Sequence, residues 1–240
     1  MRAVLFDWDG TLVDTLDYMW EATEVVMRHY GLAVDEARYR AEFTPDWRLL
    51  YRRFGMPENE IERAGELWWS AYRGHTEGAL LPGARQAVTR LRAAGYLTGL
   101  VTAGHRQNVE HQLARHRMVG LFPVRVFGDE VPEAKPHPEP LRRALRALGL
   151  ADTAADAAYV GDSFDDLRMA IAAGVRPVGI VSVLGDDEAL RSAGAVDVAG
   201  SVREWVDRLL GPPGAGPRPA GAGPRPAAPG PPVTPGRERV

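Results

Sequence analysis

Short stretches in which nearly every residue is apolar recur along the chain: AVLF at 3–6, LTGLVT at 97–102, VRVF at 124–127, AAYVG at 157–161 and VGIV at 178–181. A strand with one wet face alternates apolar and polar residues, whereas a strand that is apolar throughout has to be covered on both faces. Between the later runs the apolar spacing is helical, which implies parallel strands joined by helical crossovers. The pattern predicts an α/β fold, a doubly wound parallel sheet with helices on both faces.

One region breaks this rhythm. After the first run, Leu16, Met19, Trp20, Thr23, Val26, Met27 and Tyr30 follow helix spacing, and no strand-like run returns until Leu97. Residues 15–79 are therefore expected to form an all-helical insertion after the first strand, with Leu81, Pro82 and Gly83 marking the return. The core is expected to comprise 1–14 and 80–210. Its last element is announced by Ser201 and Glu204, spaced as a capping box before Trp205, Val206, Leu209 and Leu210. From 211 to 240 the composition collapses to Gly, Pro, Ala and Arg, with GAGPRPA twice in tandem, and too little apolar surface remains to offset the entropy of ordering. A disordered tail is expected there.

Charge and composition narrow the function classes. The net charge is −3, and the last thirty residues carry four Arg against one Glu, so residues 1–210 stand at −6, a poor footprint for nucleic acid. No apolar run approaches the roughly 20 residues needed to cross a bilayer, and Met1 runs directly into AVLF and Asp7, so neither a membrane span nor a signal peptide is expected and the reading is cytoplasmic. Without cysteine, thiolate chemistry and cysteine-bound zinc are excluded. Lys135 is the only lysine in a chain that otherwise uses arginine. The oligomeric state is not readable.

Four motifs stand at the ends of the expected strands. Asp7-Trp8-Asp9-Gly10-Thr11 follows the first; if the strand stays extended through Trp8, both carboxylates point to one side of the carboxyl edge, where open α/β sheets bind ligands. One can attack phosphorus while the other moves the proton; a plain turn uses the same residues. Thr102 ends the second run, where its hydroxyl and the N–H groups of the following helix can hold phosphate oxygens, or where it simply caps that helix. Lys135, between Ala134 and Pro136, can neutralise a carboxylate and a transferring phosphoryl group. Gly161-Asp162-Ser163-Phe164-Asp165-Asp166 follows the fourth run. Asp162 can join Asp7 and the backbone carbonyl of Asp9 around a magnesium ion, with Asp166 one helical turn on as a ligand or as a holder of the metal's waters, though Asp162 also suits a helix cap.

Taken in this order, DWDGT, the Thr of LVTAG, the Lys of AKPHP and GDSFDD resemble the four motifs of the haloacid dehalogenase superfamily, and the helical insertion resembles its C1 cap. DWDGTLVDT, KPHP and VGDSFDDLRMAIAAG are most similar to the phosphoglycolate phosphatase branch. The resemblance implies a magnesium-dependent phosphatase of a small phosphorylated metabolite, with Asp7 as nucleophile, Asp9 as general acid and base, Thr102, Ala103 and Lys135 at the phosphate, and Asp7, Asp9, Asp162 and Asp166 around Mg2+. Trp8 replaces the usual Phe, Leu or Met, with only its backbone expected to matter to the site; Ala103 stands where Asn is common, and Ala134 where Gly is. Dehalogenase chemistry has no need of Asp9. Phosphonoacetaldehyde hydrolase and beta-phosphoglucomutase each use a cap lysine, and residues 15–80 contain none. A non-catalytic binding module would be expected to have lost a motif residue. The cap offers Trp47, Arg48, Arg52 and Arg53 as contacts for a second anion, or simply as a surface helix face.

Overall fold

The computed structural model describes residues 1–72 and 78–211. Six parallel strands form the sheet: β1 (Ala3–Phe6), β4 (Leu97–Val101), β5 (Val124–Val126), β6 (Ala157–Gly161), β7 (Arg176–Ile180) and β8 (Asp197–Ala199), in the order β5-β4-β1-β6-β7-β8. β1 lies at the centre, pairing with both β4 and β6, with Phe6 opposite Leu100 and Val160. The sheet is the doubly wound one that the apolar runs imply.

Its two faces explain why those runs are apolar throughout. Val4, Phe6, Val160 and Val178 point to one face, where they pack with α5 (Ala84–Ala93), α6 (Arg106–Arg115) and α10 (Val202–Leu210). Ala3, Leu5 and Tyr159 point to the other, against α7 (Glu139–Ala147) and α8 (Phe164–Ala172). All four β1 residues are fully buried, each large one contributing roughly 1.5–3 kcal/mol. No helix among the described residues is long and apolar enough to cross a membrane.

Between β1 and β4 the chain makes a two-stranded antiparallel clip, β2 (Val13–Asp14) with β3 (Ala79–Leu80), Val13 opposite Leu80. The clip closes the loop from which α1 (Leu16–His29), α2 (Glu36–Glu42), α3 (Trp47–Arg53) and α4 (Ile61–Tyr72) emerge. These helices share a core of their own, built on Val26, Met27, Tyr39, Leu50, Tyr51, Phe54 and Ile61. Asp35 and Asp46 cap α2 and α3 by accepting from the Arg38 and Leu49 amides.

The edge of the sheet departs from the sequence reading. β8 was not foreseen, because DVA is short and carries a charge; it follows α9 (Asp187–Ser192). β7 begins two residues earlier than the run at 178–181. Ser201 caps α10 as expected, accepting from Glu204 N at 3.1 Å, while Glu204 reaches back to Gly200 N rather than to the cap residue. The expected tail lies outside the described residues apart from Gly211, which is buried, its carbonyl accepting from Arg90.

Candidate active site at the carboxyl edge of the sheet

β1, β4 and β6 all end at the same edge, and the loops that follow them carry the motif residues. β1 ends at Phe6, but Asp7 N still donates to Val160 O at 2.9 Å and Trp8 packs with Val4 and Phe6, so the alternation of faces runs on to Trp8. Gly10, at φ 74°, turns the chain, and a Cβ there would lie 2.3 Å from Asp162 Oδ2; only glycine fits this approach of backbone to carboxylate.

Lys135 joins the two halves of the site. Its ammonium donates to Asp7 Oδ1 at 2.6 Å and to Asp166 Oδ1 at 2.7 Å, all three side chains being buried, and it lies 5.4 Å from the Tyr159 ring centre. Burial pulls the lysine pKa down, but Asp166 and Asp7 outweigh it and the pKa is raised, so the group stays charged. Asp166 is held from every side. Its Oδ2 accepts from Ser163 N and Oγ in a capping box at the start of α8, and the Tyr159 hydroxyl, which donates to Val101 O at 2.7 Å, lies 3.3 Å from its Oδ1. Ser163, not Asp162, is the cap of α8, which leaves Asp162 free of that task.

Oxygens of Asp7, Asp162 and Asp166 all lie within 4.8 Å of one another. Asp162 Oδ1 accepts from Thr11 at 3.2 Å, while its Oδ2 is buried without a hydrogen-bond partner among the described residues. An orphaned buried carboxylate oxygen is costly unless something cationic meets it. Burial, then Asp166, push the Asp162 carboxyl up to about 7, against the opposing pull of Ser182, Lys135 and Thr11. Burial likewise raises Asp7 well above the carboxylate range, with Lys135 opposing and the other acids adding to the rise. One ammonium does not neutralise three buried acids, and three all-oxygen donors with an unfilled lone pair suit a hard divalent cation such as magnesium. The donor set fits the ion.

Asp9 stands apart from this group. Its Oδ1 accepts from Thr15 Oγ1 at 2.7 Å, and its pKa is raised by burial, with Thr15 and Lys135 opposing. Thr15 occupies the N-cap position of α1 yet makes no cap bond. A cap that is normally worth about 0.5–2 kcal/mol is thus given up to orient Asp9. A methyl group on Gly104 would sit 3.2 Å from Thr102 Oγ1 and 3.3 Å from Asp9 Oδ2, so the bare glycine keeps the space between those two oxygens open. Thr102 is buried and does not cap α6: that position belongs to His105, and the Thr102 hydroxyl accepts from Gly104 N at 2.9 Å. Ala103 is half-buried beside it, its carbonyl packed against Gly128.

Other sequence-derived candidates lie elsewhere. Trp47 covers Gly65 on α4, Arg48 pairs with Glu62, Arg52 with Glu58, and Arg53 donates to Glu42 O. These are surface contacts within the helical segment and not part of the carboxylate group. Away from the carboxylate group, the fully buried Trp8 indole donates to Gln112 Oε1 on α6 at 2.6 Å. Sequence reading gives no role to Thr15 or Tyr159, nor to Thr11 and Ser163, which stand inside the first and fourth motifs; Ser163 carries a readable signal, the S-x-x-D spacing of a capping box.

A family model of haloacid dehalogenase-like hydrolases matches residues 4–180. The phosphoglycolate phosphatase of Nitrosococcus oceani is 31% identical over 71% of this chain and 79% of its own length, and the phosphorylated carbohydrates phosphatase of Thermotoga maritima is 30% identical over 82% and 93%. Among solved structures, a hydrolase from Pseudomonas syringae superposes with a TM-score of 0.77 at 22% identity, over 87% of this chain and 98% of that one. CbbY from Rhodobacter sphaeroides, solved in complex with phosphate, does so at 0.70 and 28%, over 85% and 96%. On this evidence the chain belongs to the haloacid dehalogenase-like hydrolase family, and it is a phosphatase of that family.

Proposed function

We propose that the protein is a magnesium-dependent phosphomonoesterase that acts on a small, phosphoglycolate-like phosphorylated metabolite through a phosphoaspartate on Asp7, with residues 15–79 as a cap domain over a core of 1–14 and 80–210. The observation that carries the reading is the buried Asp7–Lys135–Asp166 bridge beside the orphaned Asp162 oxygen. Asp7, Asp162 and Asp166 would hold the ion, with the Asp9 carbonyl as a further oxygen donor. When bound, magnesium supplies the positive charge that lets a phosphate approach these acids and keeps Asp7 ionised.

The residues then divide the work. An Asp7 oxygen attacks phosphorus and the bond to the substrate oxygen breaks; Asp9, whose raised pKa favours the acid form, gives that oxygen its proton. Water then attacks the phosphoaspartate, Asp9 takes the proton, and the bond from phosphorus to Asp7 breaks, releasing inorganic phosphate. Lys135 neutralises Asp7 and a phosphoryl oxygen, and Thr102 with the Ala103 backbone would receive the others. The phosphoglycolate-like substrate class is supported by the names of the relatives and by the absence of a lysine from 15–80, which disfavours mutase chemistry.

Turnover of a panel of phosphorylated metabolites, with magnesium and with chelator, tests this reading. Hydrolysis of small phosphorylated acids that requires magnesium and is abolished by chelation is the expected result. Full activity in excess chelator would refute the metal assignment, and preference for bulky sugar phosphates would refute the substrate class.

A further inference from the structure

Beside the carboxylate group, one polar contact ties the helical segment to the core across 121 residues of sequence. Thr44, in the turn between α2 and α3, donates from Oγ1 to Asp165 Oδ2 at 2.7 Å, and both residues are buried, at 4% and 8% exposure. Asp165 lies in the first turn of α8, next to Asp166. Its other oxygen meets Arg168, at 3.3 Å, a side chain that is 65% exposed. Thr44 in turn accepts from Asp46 N at 3.3 Å, and Asp46 caps α3. A continuous polar line therefore runs from the helix carrying Asp166, through Thr44, into the start of α3.

A carboxylate this buried needs its donors, because water is not there to replace them. If the two segments part, water solvates both Thr44 and Asp165, so the energy of this contact belongs to the closed arrangement alone. At the other rim Trp69 on α4 lies against His105, ring centres 4.5 Å apart, next to the Thr102–Gly104 turn. Ring contacts tolerate sliding, whereas a hydrogen bond to a charge fixes position.

We propose that Thr44 is a positioning residue for the phosphatase reaction, its bond to Asp165 latching the turn at 43–46 against the first turn of α8, which carries Asp166 into the carboxylate group. The proposal rests on the functional reading above for its catalytic consequence but not for the contact itself.

The test uses the full chain with Thr44→Val, which removes the hydroxyl at nearly constant volume, Thr44→Ser, which keeps it, Asp165→Ala, and the double variant Thr44→Val/Asp165→Ala. Amide hydrogen exchange at 43–46 should rise about threefold to tenfold in Thr44→Val, the range expected for losing one such bond, while exchange in β1 and β6 stays unchanged. KM for the best phosphorylated metabolite should rise by a similar factor with kcat less affected. Thr44→Ser should behave as wild type, and the double variant should be no worse than the worse single one. Wild-type exchange and KM in Thr44→Val would overturn the latch, as would Thr44→Ser behaving like Thr44→Val, effects that add in the double variant, or exchange at 43–46 rising only together with that of the sheet. Exchange is read without metal or substrate, so faster exchange in a protein lacking magnesium-dependent activity would support the contact and fault the functional reading alone.

Discussion

Replacing Asp162 with Asn should make the metal-free protein more stable, although Asp162 is the residue best placed to complete a magnesium site. Its carboxyl is pushed from an ordinary 3.8 up to about 7, first by burial and then by Asp166. A folded-state pKa above the unfolded one means that the native protein holds a proton the unfolded chain has already released. Stability from this group is therefore complete below about pH 4, falls as pH rises towards 7, and is lost above that. Three units at about 1.4 kcal/mol each put the cost above pH 7 at roughly 4 kcal/mol. Because Asp166 and Asp7 share the strain, and because the Thr11 bond to Oδ1 survives in the amide, relief on the order of 2 kcal/mol is expected from Asp162→Asn, with the new N–H2 donating towards the remaining acids. For a chain of this size that is an upward shift of about 4–8 °C in Tm.

The assay is thermal melting at pH 7.5 and pH 5, in chelator and in magnesium. In chelator at pH 7.5 the Asn variant should melt higher than wild type, and at pH 5 the gap should shrink. Magnesium at about 100 times its Kd should stabilise wild type by roughly 2.7 kcal/mol and the variant much less, narrowing or reversing the order. An Asn variant that melts below wild type in chelator at pH 7.5, or one that gains as much from magnesium, would refute the reasoning.

Further outcomes follow from the same geometry. Asp7→Asn should abolish turnover and phosphoenzyme formation, whereas Asp9→Asn should lose roughly 10² to 10⁴ in rate for alkyl phosphates and less in the phosphorylation step with p-nitrophenyl phosphate, whose leaving group needs little protonation; burst kinetics with both substrates distinguish the two. Thr15→Val removes a hydrogen bond that lowers the Asp9 pKa, so the pH at which alkyl-phosphate turnover falls on the alkaline side should move upward; a downward shift would show that Thr15 does not act on Asp9. Gln112→Leu should cost about 1–3 kcal/mol by stranding the Trp8 indole, and the pair Trp8→Phe/Gln112→Leu should recover most of the loss in a melting experiment.

The sheet was legible because its central strands leave no polar residue to mislead: AVLF and AAYVG can only be buried on both faces, and β1, β4 and β6 appear where the runs are. β8 escaped because three residues with an aspartate give no periodic signal, and the clip of β2 with β3 escaped because two-residue strands give none. At the site, sequence order showed which residues end strands, since that depends on local pattern. It did not show which of them touch. Asp7 and Asp9 flank Trp8 two residues apart yet have different partners, Lys135 in one case and Thr15 in the other.

Trp8 shows how a site residue and a core residue can be one position with two tasks. Its backbone separates the two aspartates, and its side chain leaves the site for the opposite layer, where an indole in place of a plain apolar ring brings an N–H that must be satisfied. Gln112 supplies the acceptor from α6, but an amide has two ends, and its Nε2 is left buried without a hydrogen-bond partner among the described residues. That orphan, unlike the one on Asp162, is a donor lying close to Tyr72 at the end of α4, whose phenol burial pushes upward and Gln112 pulls back. An acceptor orphan inside a ring of acids marks a place for a cation. A donor orphan beside a buried tyrosine is the residue of accommodating one large side chain next to the nucleophile, which is why the double substitution at 8 and 112 should cost the fold little while the single one at 112 costs more.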